Sequence, residues 1–431
     1  MTATPNTLEK ICVVGLGYAG VTLATALARK GFEVWGYDLD AAKIDSLRRC
    51  QPSFHEAGVE DVLREYQGST LHLSAQYVPQ AYDVVIFAVA TPVDPATHRP
   101  VMEHLASACH VVASQLQGQP LIVVRSTVPV GTTAQHVAPI FRAVAPDLPV
   151  AFAPERTIQG QALREIVELP QIVGAVDEPS LRRAVAFFEK VAVSVVPVSS
   201  AATAELIKLL NNCHTDVIYS FGNEAAKIAE AVGVDPVEAV RAASLNYPRP
   251  KIHMPGYVGG GCLSKDPYLL AASVPDVRLD LIMAARQLNE NLPAYTAQRV
   301  LAGLGKLQIE AGRVLVCGIA FKGKPPTDDL RGSQAVEIIP LLRQGGCRVW
   351  GHDPLVPPAR IQALGAEPIT LADRPALDAV VFLTDAEEYG RLPNETVALW
   401  VGRPGLIFDG WRLFSRQQLT GAGLLYQSIG V

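Results

Sequence analysis

Hydrophobic positions along the chain fall into three blocks with two different periods. In the first block, short apolar runs alternate with longer stretches of helical spacing. The short runs are ICVVG (11–15), FEVWGYD (32–38), DVVIFAVA (83–90), PLIVVRS (120–126) and LPVAFAPE (148–155). They are rich in Val and Ile and apolar at consecutive positions, as in strands buried on both faces. AGVTLATALARKG, after the first run, has helical spacing and ends on Gly31, a residue type that stops helices. This alternation predicts a doubly wound domain, a parallel sheet covered on both faces, over residues 1–200.

From Ala201 to Val232, and again from Asp276 to about Gly303, the period is helical throughout. Leu206, Leu209, Leu210, Val217 and Phe221 recur at helical spacings, which predicts a helix packed against a core. The intervening NYPRPKIHMPGYVGGG is rich in Pro and Gly and reads as an irregular loop. The third block returns to the first theme with RVLVCGIAF (313–321), CRVWGHDP (347–354), DAVVFLTD (378–385) and LIFDG (406–410). CRVWGHDP echoes FEVWGYDL (32–39) almost letter for letter. The expected fold is α/β: two Rossmann-like doubly wound domains, 1–200 and 306–431, flanking a central all-helical domain, 201–305.

Composition adds exclusions. A chain of 431 residues suits two or three domains, and 49% hydrophobic with 18% charged residues is ordinary for a globular protein. A formal net charge of -5 offers no electrostatic case for nucleic acid or an anionic membrane. No apolar run approaches the ~18 residues of a membrane span. MTATPNTLEK lacks a basic region followed by an apolar stretch, so no secretory signal is expected. Seven scattered cysteines without a CxxC pair argue against a disulfide framework or a zinc site, and favour a reducing cytoplasm.

Several stretches carry candidate chemistry. Gly15-Leu16-Gly17-Tyr18-Ala19-Gly20 is GxGxxG between the first strand and its helix, and Asp38 closes the next strand. There Gly15 permits a tight turn, Gly17 lets the backbone approach a pyrophosphate, and Gly20 lets helix and sheet pack closely. The helix start offers N–H groups to phosphate oxygens. Asp38 would hydrogen-bond the adenosine ribose and repel a 2′-phosphate, so the expected cofactor is NAD.

The equivalent turn of the third block, Gly318-Ile319-Ala320-Phe321-Lys322, has one glycine and a cation. Lys322 suits a phosphate or a solvated surface position. Lys208 and Asn212 share a helix face, as a site pair or as an ordinary solvated lysine beside an amide. In GGGCLSKDP (259–267), Cys262 follows three glycines and precedes Lys265 and Asp266. Such glycines let the backbone turn sharply or approach a ligand, and a nearby cation lowers a thiol pKa from its usual ~8.5. Alone, the stretch fits a structural cysteine in a tight turn as well as a nucleophile.

GLGYAG (15–20), STVPVGT (126–132), APER (153–156), ELIKLLNN (205–212), PGYVGGGCLSKDP (255–267), and GIAFK with TDDLRGS (318–322 and 327–333) stand in one order over nearly the whole chain. Together they resemble the UDP-glucose/GDP-mannose dehydrogenase family of nucleotide-sugar 6-dehydrogenases. The resemblance implies NAD-dependent four-electron oxidation of the C6 hydroxyl of a UDP-sugar to a uronic acid for polysaccharide precursor synthesis. By that resemblance Cys262 is the nucleophile that forms a thiohemiacetal and then a thioester. Lys208 and Asn212 stand beside the reacting oxygen, Asp266 joins their cluster, and Thr127 and Glu155 hold or activate water. Tyr18, Lys43, Thr91, Thr127, Lys265 and Arg331 join Gly15, Gly17, Gly20 and Asp38 at the cofactor. Glu155, Arg156, Lys208, Asn212, Gly259 and Lys322 meet the substrate. Arg249 reaches the substrate from the partner subunit of a homodimer, and Arg412 in FDGWR matches a late family arginine more loosely. The three glycines then remove side chains so that the sugar C6 reaches Cys262 and the nicotinamide together.

The sugar is read from two departures. PER (154–156) and KDP (265–267) look like the branch acting on UDP-N-acetylhexosamines, either N-acetylmannosamine or N-acetylglucosamine. UDP-glucose members read PE followed by apolar residues, and KDT. Many mannosamine-type members replace the loop lysine that Lys265 retains here, which leaves the epimer open and UDP-glucose as the alternative. A two-electron hydroxyacid dehydrogenase would share the first two domains but needs neither GGGCLSKDP nor residues 313–431. An inactive nucleotide-sugar-binding regulatory protein would not require the intact catalytic positions.

Overall fold

The apolar runs become strands because each successive side chain finds a covered layer. Ile11 and Val13 of β1 (Lys10–Val14) join one core, and Cys12 and Val14 join the core on the other face. The computed structural model describes residues 8–248 and 252–431. Its contacts form two units, one reaching Asn211 and including Tyr268–Arg278, the other covering Asn212–Pro267 and Leu279–Val431.

In the first unit β1 is joined by β2 (Glu33–Tyr37), β3 (Leu71–Ser74), β4 (Val84–Phe87), β5 (Leu121–Val124), β6 (Val150–Phe152), β7 (Gln171–Ala175) and β8 (Val195–Pro197). Their order is β3-β2-β1-β4-β5-β6-β7-β8. The strand order reverses between β1 and β4, the place where such sheets open a crevice at their carboxyl ends. The expected parallel sheet needs one correction: β6 and β7 run antiparallel. The chain between them carries only the short helix Ala162–Glu168 and re-enters the sheet at the end it left. Residues 153–170 therefore stay at the carboxyl end, beside the crevice.

The first helix, Tyr18–Arg29, buries every residue from Gly20 to Ala28. It ends at Gly31, whose φ of +91° is the left-handed conformation of a helix stop.

The second unit holds β9 (Arg313–Cys317), β10 (Arg348–His352), β11 (Glu367–Pro368), β12 (Leu377–Phe382), β13 (Val401–Asp409) and β14 (Leu425–Gln427). Their order, β11-β10-β9-β12-β13-β14, repeats the first sheet's first six strands, with every neighbouring pair parallel. The sequence echo is thus structural. Gly36 and Gly351 occupy the same position on the second strand of each sheet, and a Cβ at either would press on packed aliphatic side chains. Helices supply the rest, among them Pro236–Ser244, Asp280–Glu290 and Leu292–Lys306. The fold is α/β with two Rossmann-like sheets and a central helical region. Among the described residues no helix is long and apolar enough to cross a membrane.

The longest helix, Ala201–Ala231, forms as expected, but most of the leucines and the phenylalanine that mark its period lie outside. Leu209 is buried, while Leu206, Leu210, Ile218, Phe221 and Ile228 are exposed, Phe221 by 56%. Its buried positions include Glu205, Lys208, Asp216, Ser220 and Asn223. An ordinary surface helix has the opposite arrangement. Buried polar groups need partners, and an exposed apolar stripe of this kind is unusual on a surface helix.

Candidate active site

Three glycines open the crevice of the first unit, each for its own reason. Gly15 has φ +91°, and a Cβ there would lie 2.9 Å from the Ala88 carbonyl oxygen. A Cβ on Gly20 would overlap the Gly15 carbonyl, so helix and strand close up only without it. A Cβ on Gly17 would meet nothing within 4 Å. The space beside Gly17 is a cradle that protein atoms leave open, at a helix start whose first N–H groups have no intrahelical acceptor. A dinucleotide pyrophosphate fits that cradle and those donors.

Asp38 stands at the end of β2 with three bonds: from the Leu16 N–H (2.7 Å), the Asp40 N–H (3.0 Å) and Lys43 Nζ (2.9 Å). A carboxylate accepts about four hydrogen bonds, so one position is left for a ribose hydroxyl. The Lys43 ammonium is held against Asp38. Tyr18 opens the helix, and its hydroxyl donates to Glu56. Burial, and then Glu56 beside it, holds the phenol far above its ordinary pKa. Glu56 also accepts from the N–H groups of Gly160 (2.6 Å) and Ala162 (2.8 Å). It ties the dinucleotide helix to the loop after β6.

The next strand ends supply the remaining positions of this unit. Thr91 Oγ1 donates to the Thr127 carbonyl at 2.6 Å, joining the loops after β4 and β5. Glu155, half-buried after β6, accepts from the Thr157 N–H. Arg156 donates to the Pro170 carbonyl (3.4 Å). Beneath them the buried Arg125 donates to Ala153 O (3.3 Å) and Gln171 Oε1 (3.0 Å). Burial lowers the Arg125 pKa, and the nearby Glu155 charge opposes that. Lys208 is only 5% exposed, which rules out the solvated alternative for it. One turn before it, Glu205 accepts from the Gly131 (2.6 Å) and Thr133 (2.8 Å) N–H groups and holds the loop that carries Thr127.

Cys262 belongs to the second unit. It is exposed, and its carbonyl accepts from the N–H groups of Lys265 (3.1 Å) and Asp266 (2.9 Å), making the turn that starts helix Asp266–Ser273. Asp266 is fully buried and accepts from Lys265 Nζ (2.8 Å) and from the Asn212 amide. The cluster Asn212–Asp266–Lys265 is therefore real geometry.

The reason given for the preceding glycines needs correction. A Cβ on Gly259 would overlap the Gly332 carbonyl, one on Gly260 would meet the Phe321 ring at 2.9 Å, and one on Gly261 the Arg331 guanidinium at 3.2 Å. Gly260 N–H also bonds to Arg331 O (3.0 Å). The missing side chains are spent on docking this loop against residues 321 and 331–332, and the Cβ side of Gly259 is closed to a sugar. Arg331 itself pairs with Asp329.

In the C-terminal sheet Asp353 echoes Asp38, but accepts from four N–H groups: Ile319, Ala320, Leu355 and Val356. At this carboxylate no acceptor position is left for a ribose hydroxyl. Lys322 is half-buried with Nζ 5.4 Å from the Phe321 ring centre. Arg412 is held by both oxygens of Asp235 (3.1 and 3.0 Å), an engagement the motif did not suggest. Arg249 lies outside the described residues.

Glu56, Glu205 and Arg125 escaped sequence reading. Glu56 and Glu205 sit where a surface carboxylate is the default, and only their burial reveals the backbone groups they satisfy.

Known proteins share this organisation. Residues 9–192 match the NAD binding domain of the UDP-glucose/GDP-mannose dehydrogenase family, residues 202–291 its central domain and residues 315–416 its UDP binding domain. UDP-N-acetyl-D-mannosamine dehydrogenase of Methanococcus maripaludis is 32% identical over 80% of both chains. The structure of UDP-D-ManNAc dehydrogenase from Pyrococcus horikoshii superposes with a TM-score of 0.87 at 29% identity, covering 98% of this chain and 99% of that one. The structure of a UDP-glucose dehydrogenase from Pyrobaculum islandicum gives 0.84 at 26% identity, covering 100% and 99%.

Proposed function

The chain belongs to the UDP-glucose/GDP-mannose dehydrogenase family, and from that premise we propose that it oxidises C6 of UDP-N-acetylmannosamine to the carboxylate through a thioester on Cys262. It is an NAD-dependent nucleotide-sugar dehydrogenase. The observation that carries the mechanism is the exposed Cys262 at the head of a turn whose Asp266 is buried and bonded to Lys265 and Asn212.

NAD, which the open side of Gly17 and the remaining acceptor of Asp38 would hold, would supply the hydride acceptor, two molecules per acid formed. The thiolate of Cys262 attacks the C6 aldehyde, forming a C–S bond and placing negative charge on oxygen. The Lys208 ammonium and the Asn212 amide are the donors for that oxygen, each worth about 3 kcal/mol. Loss of hydride leaves the thioester. Water oriented by Glu155 and Thr127 then breaks the C–S bond, and Glu155 takes its proton. Over the cycle one alcohol, one water and two NAD⁺ become one carboxylate, two NADH and three protons.

The roles divide along the chain, with NAD on residues 1–200, the reacting turn within 201–305 and the nucleotide end of the substrate on 306–431. Lys322 and Arg412 are the cations for that end. The product serves as a polysaccharide precursor, and the cytoplasm keeps the thiol reduced.

Arg156 and Pro267, together with the relatives' names, support an N-acetylhexosamine. The two superposed structures act on different sugars with nearly equal TM-scores, so the fold is neutral on this point. Comparing kcat/KM for UDP-N-acetylmannosamine, UDP-N-acetylglucosamine, UDP-glucose, UDP-galactose and GDP-mannose by NADH absorbance tests the choice. The first is expected to lead by at least about tenfold. Preference for UDP-glucose would overturn the sugar and leave the thioester chemistry intact.

A homodimer is part of the same proposal. The exposed stripe of Leu206, Leu210, Ile218, Phe221 and Ile228 is an apolar face suited to a second copy. Sedimentation is expected to give twice the chain mass, and Phe221→Glu to shift it towards the monomer. A monomeric wild type at micromolar concentration would sink the dimer.

A further inference from the structure

Residues 256–263 lead into the Cys262 turn, and one continuous run of buried polar contacts ties both ends of that segment to the helices around it. At the downstream end, Arg286 Nη1 donates to the Leu263 carbonyl at 2.9 Å. The same group donates to Asp216 Oδ1, also at 2.9 Å. Asn289 Nδ2 donates to that carboxylate oxygen (2.9 Å) and to the Asp216 main-chain carbonyl (3.1 Å). Asn289 Oδ1 accepts from Asn223 Nδ2 (3.1 Å), and Asn223 Oδ1 accepts from the Gly256 N–H (2.9 Å). The run begins at Leu263, next to the thiol, and ends at Gly256.

All four side chains are buried: Arg286 is 2% exposed, Asn289 1%, and Asp216 and Asn223 0%. Taking a guanidinium and a carboxylate out of water is costly, and well-packed apolar residues of similar size are often as stabilising. A buried pair of this kind earns its place through geometry. The two N–H bonds of Nη1 reach a carboxylate and a main-chain carbonyl at once, the planar guanidinium fixes their relative direction, and Nε stands 3.3 Å from Glu290 Oε1. Asp216 draws on the helix Ala201–Ala231, Arg286 and Asn289 on Asp280–Glu290. The Leu263 carbonyl, one residue beyond Cys262, is thereby referenced to two helices.

We propose that Arg286, Asp216, Asn289 and Asn223 are positioning residues for Cys262, holding the Gly256–Leu263 segment so that the thiol stands at one fixed place. The inference rests on the reading of Cys262 as nucleophile. None of the four touches the reacting atoms in this account; they act through the backbone of the turn.

The test removes the fork without leaving a buried charge behind. Asp216→Asn/Arg286→Met deletes both charges together. Four quantities are compared with wild type: melting temperature, KM for NAD, kcat, and the rate at which iodoacetamide alkylates Cys262 without substrate, read by peptide mass spectrometry. The variant is expected to keep its KM for NAD within about twofold while kcat falls about 10- to 100-fold, the cost of misplacing a reacting group by about an ångström. The alkylation rate decides the matter and is expected to change at least about threefold. An alkylation rate equal to wild type overturns the inference, whatever kcat does. Should the double variant fail to fold, Arg286→Lys carries the same test, since it keeps a cation against Asp216 and loses the fork to Leu263. Cys262→Ser, measured in parallel, separates the two claims. Wild-type acid formation by that variant would end the nucleophile reading, whereas alkylation of Cys262 needs no turnover and still reports where the thiol stands.

Discussion

Cys262→Ser is expected to lower acid formation by at least about 10³-fold, as loss of a covalent nucleophile does elsewhere. The turn itself should survive, because it is made by the Cys262 carbonyl and not by sulfur. The serine side chain is close to the thiol in size, so packing around the exposed site changes little. What changes is acidity: a thiol of pKa ~8.5 is partly ionised at neutral pH and a nearby cation raises that fraction, whereas an alkanol hydroxyl is not ionised there. The C–S bond that retains the aldehyde then has no counterpart. NADH absorbance and mass spectrometry of the sugar nucleotide measure the outcome together. Uronate formed by the serine variant at the wild-type rate would end the thioester mechanism.

Gly17→Ala and Gly20→Ala are expected to fail in opposite ways. At Gly20 the new Cβ would overlap the Gly15 carbonyl oxygen, main chain that cannot rotate aside. Helix and strand must separate, so the protein without NAD should melt at a lower temperature, with about 1–3 kcal/mol or more lost to overpacking. At Gly17 the new Cβ meets no protein atom within 4 Å, and the residue's φ of -72° suits alanine. Without NAD its cost should stay below about 1 kcal/mol, the loss of a glycine at a helix start. The methyl group would instead occupy the cradle left for the pyrophosphate. NAD at 100 times its Kd should stabilise wild type by about 2.7 kcal/mol and Gly17→Ala hardly at all. Melting curves with and without NAD separate the two. A Gly17→Ala protein that gains as much stability from NAD as wild type would remove the pyrophosphate from that cradle.

Much of this molecule is legible along the chain because its signals are local. A run such as DVVIFAVA is a strand by its own apolar pattern, and GLGYAG announces a turn from a strand into a helix. The Cys262 loop was legible as a loop but not in its purpose. Three glycines look the same whether they make room for a sugar or for Phe321 and Gly332, and only the neighbouring chain shows the second. Helix Ala201–Ala231 was legible as a helix but not in its sides. Leu206, Leu210 and Phe221 carry the spacing of a core face and lie outside, because the inward face is shared by Leu209 and small residues such as Ala204, Cys213 and Ala226 with the polar Glu205, Lys208, Asp216 and Asn223.

The sequence by itself determined the strands, the helices, the two repeated α/β halves, the dinucleotide turn with Asp38, and the cysteine to test. These depend on period, on residues that stop or start an element, and on motifs a few residues long. Tertiary structure alone decided the antiparallel return of β7, the clamp of Glu56 on Tyr18, the hold of Glu205 on the loop after β5, the pairing of Arg412 with Asp235, and the run from Leu263 to Gly256. Each of these joins residues that lie apart in the chain, and the Glu56, Glu205 and Arg286 contacts depend on burial as well. A carboxylate or a guanidinium in sequence has the same letters whether solvated or buried. Its function is set only when folding removes the water and leaves specific backbone and side-chain groups to replace it.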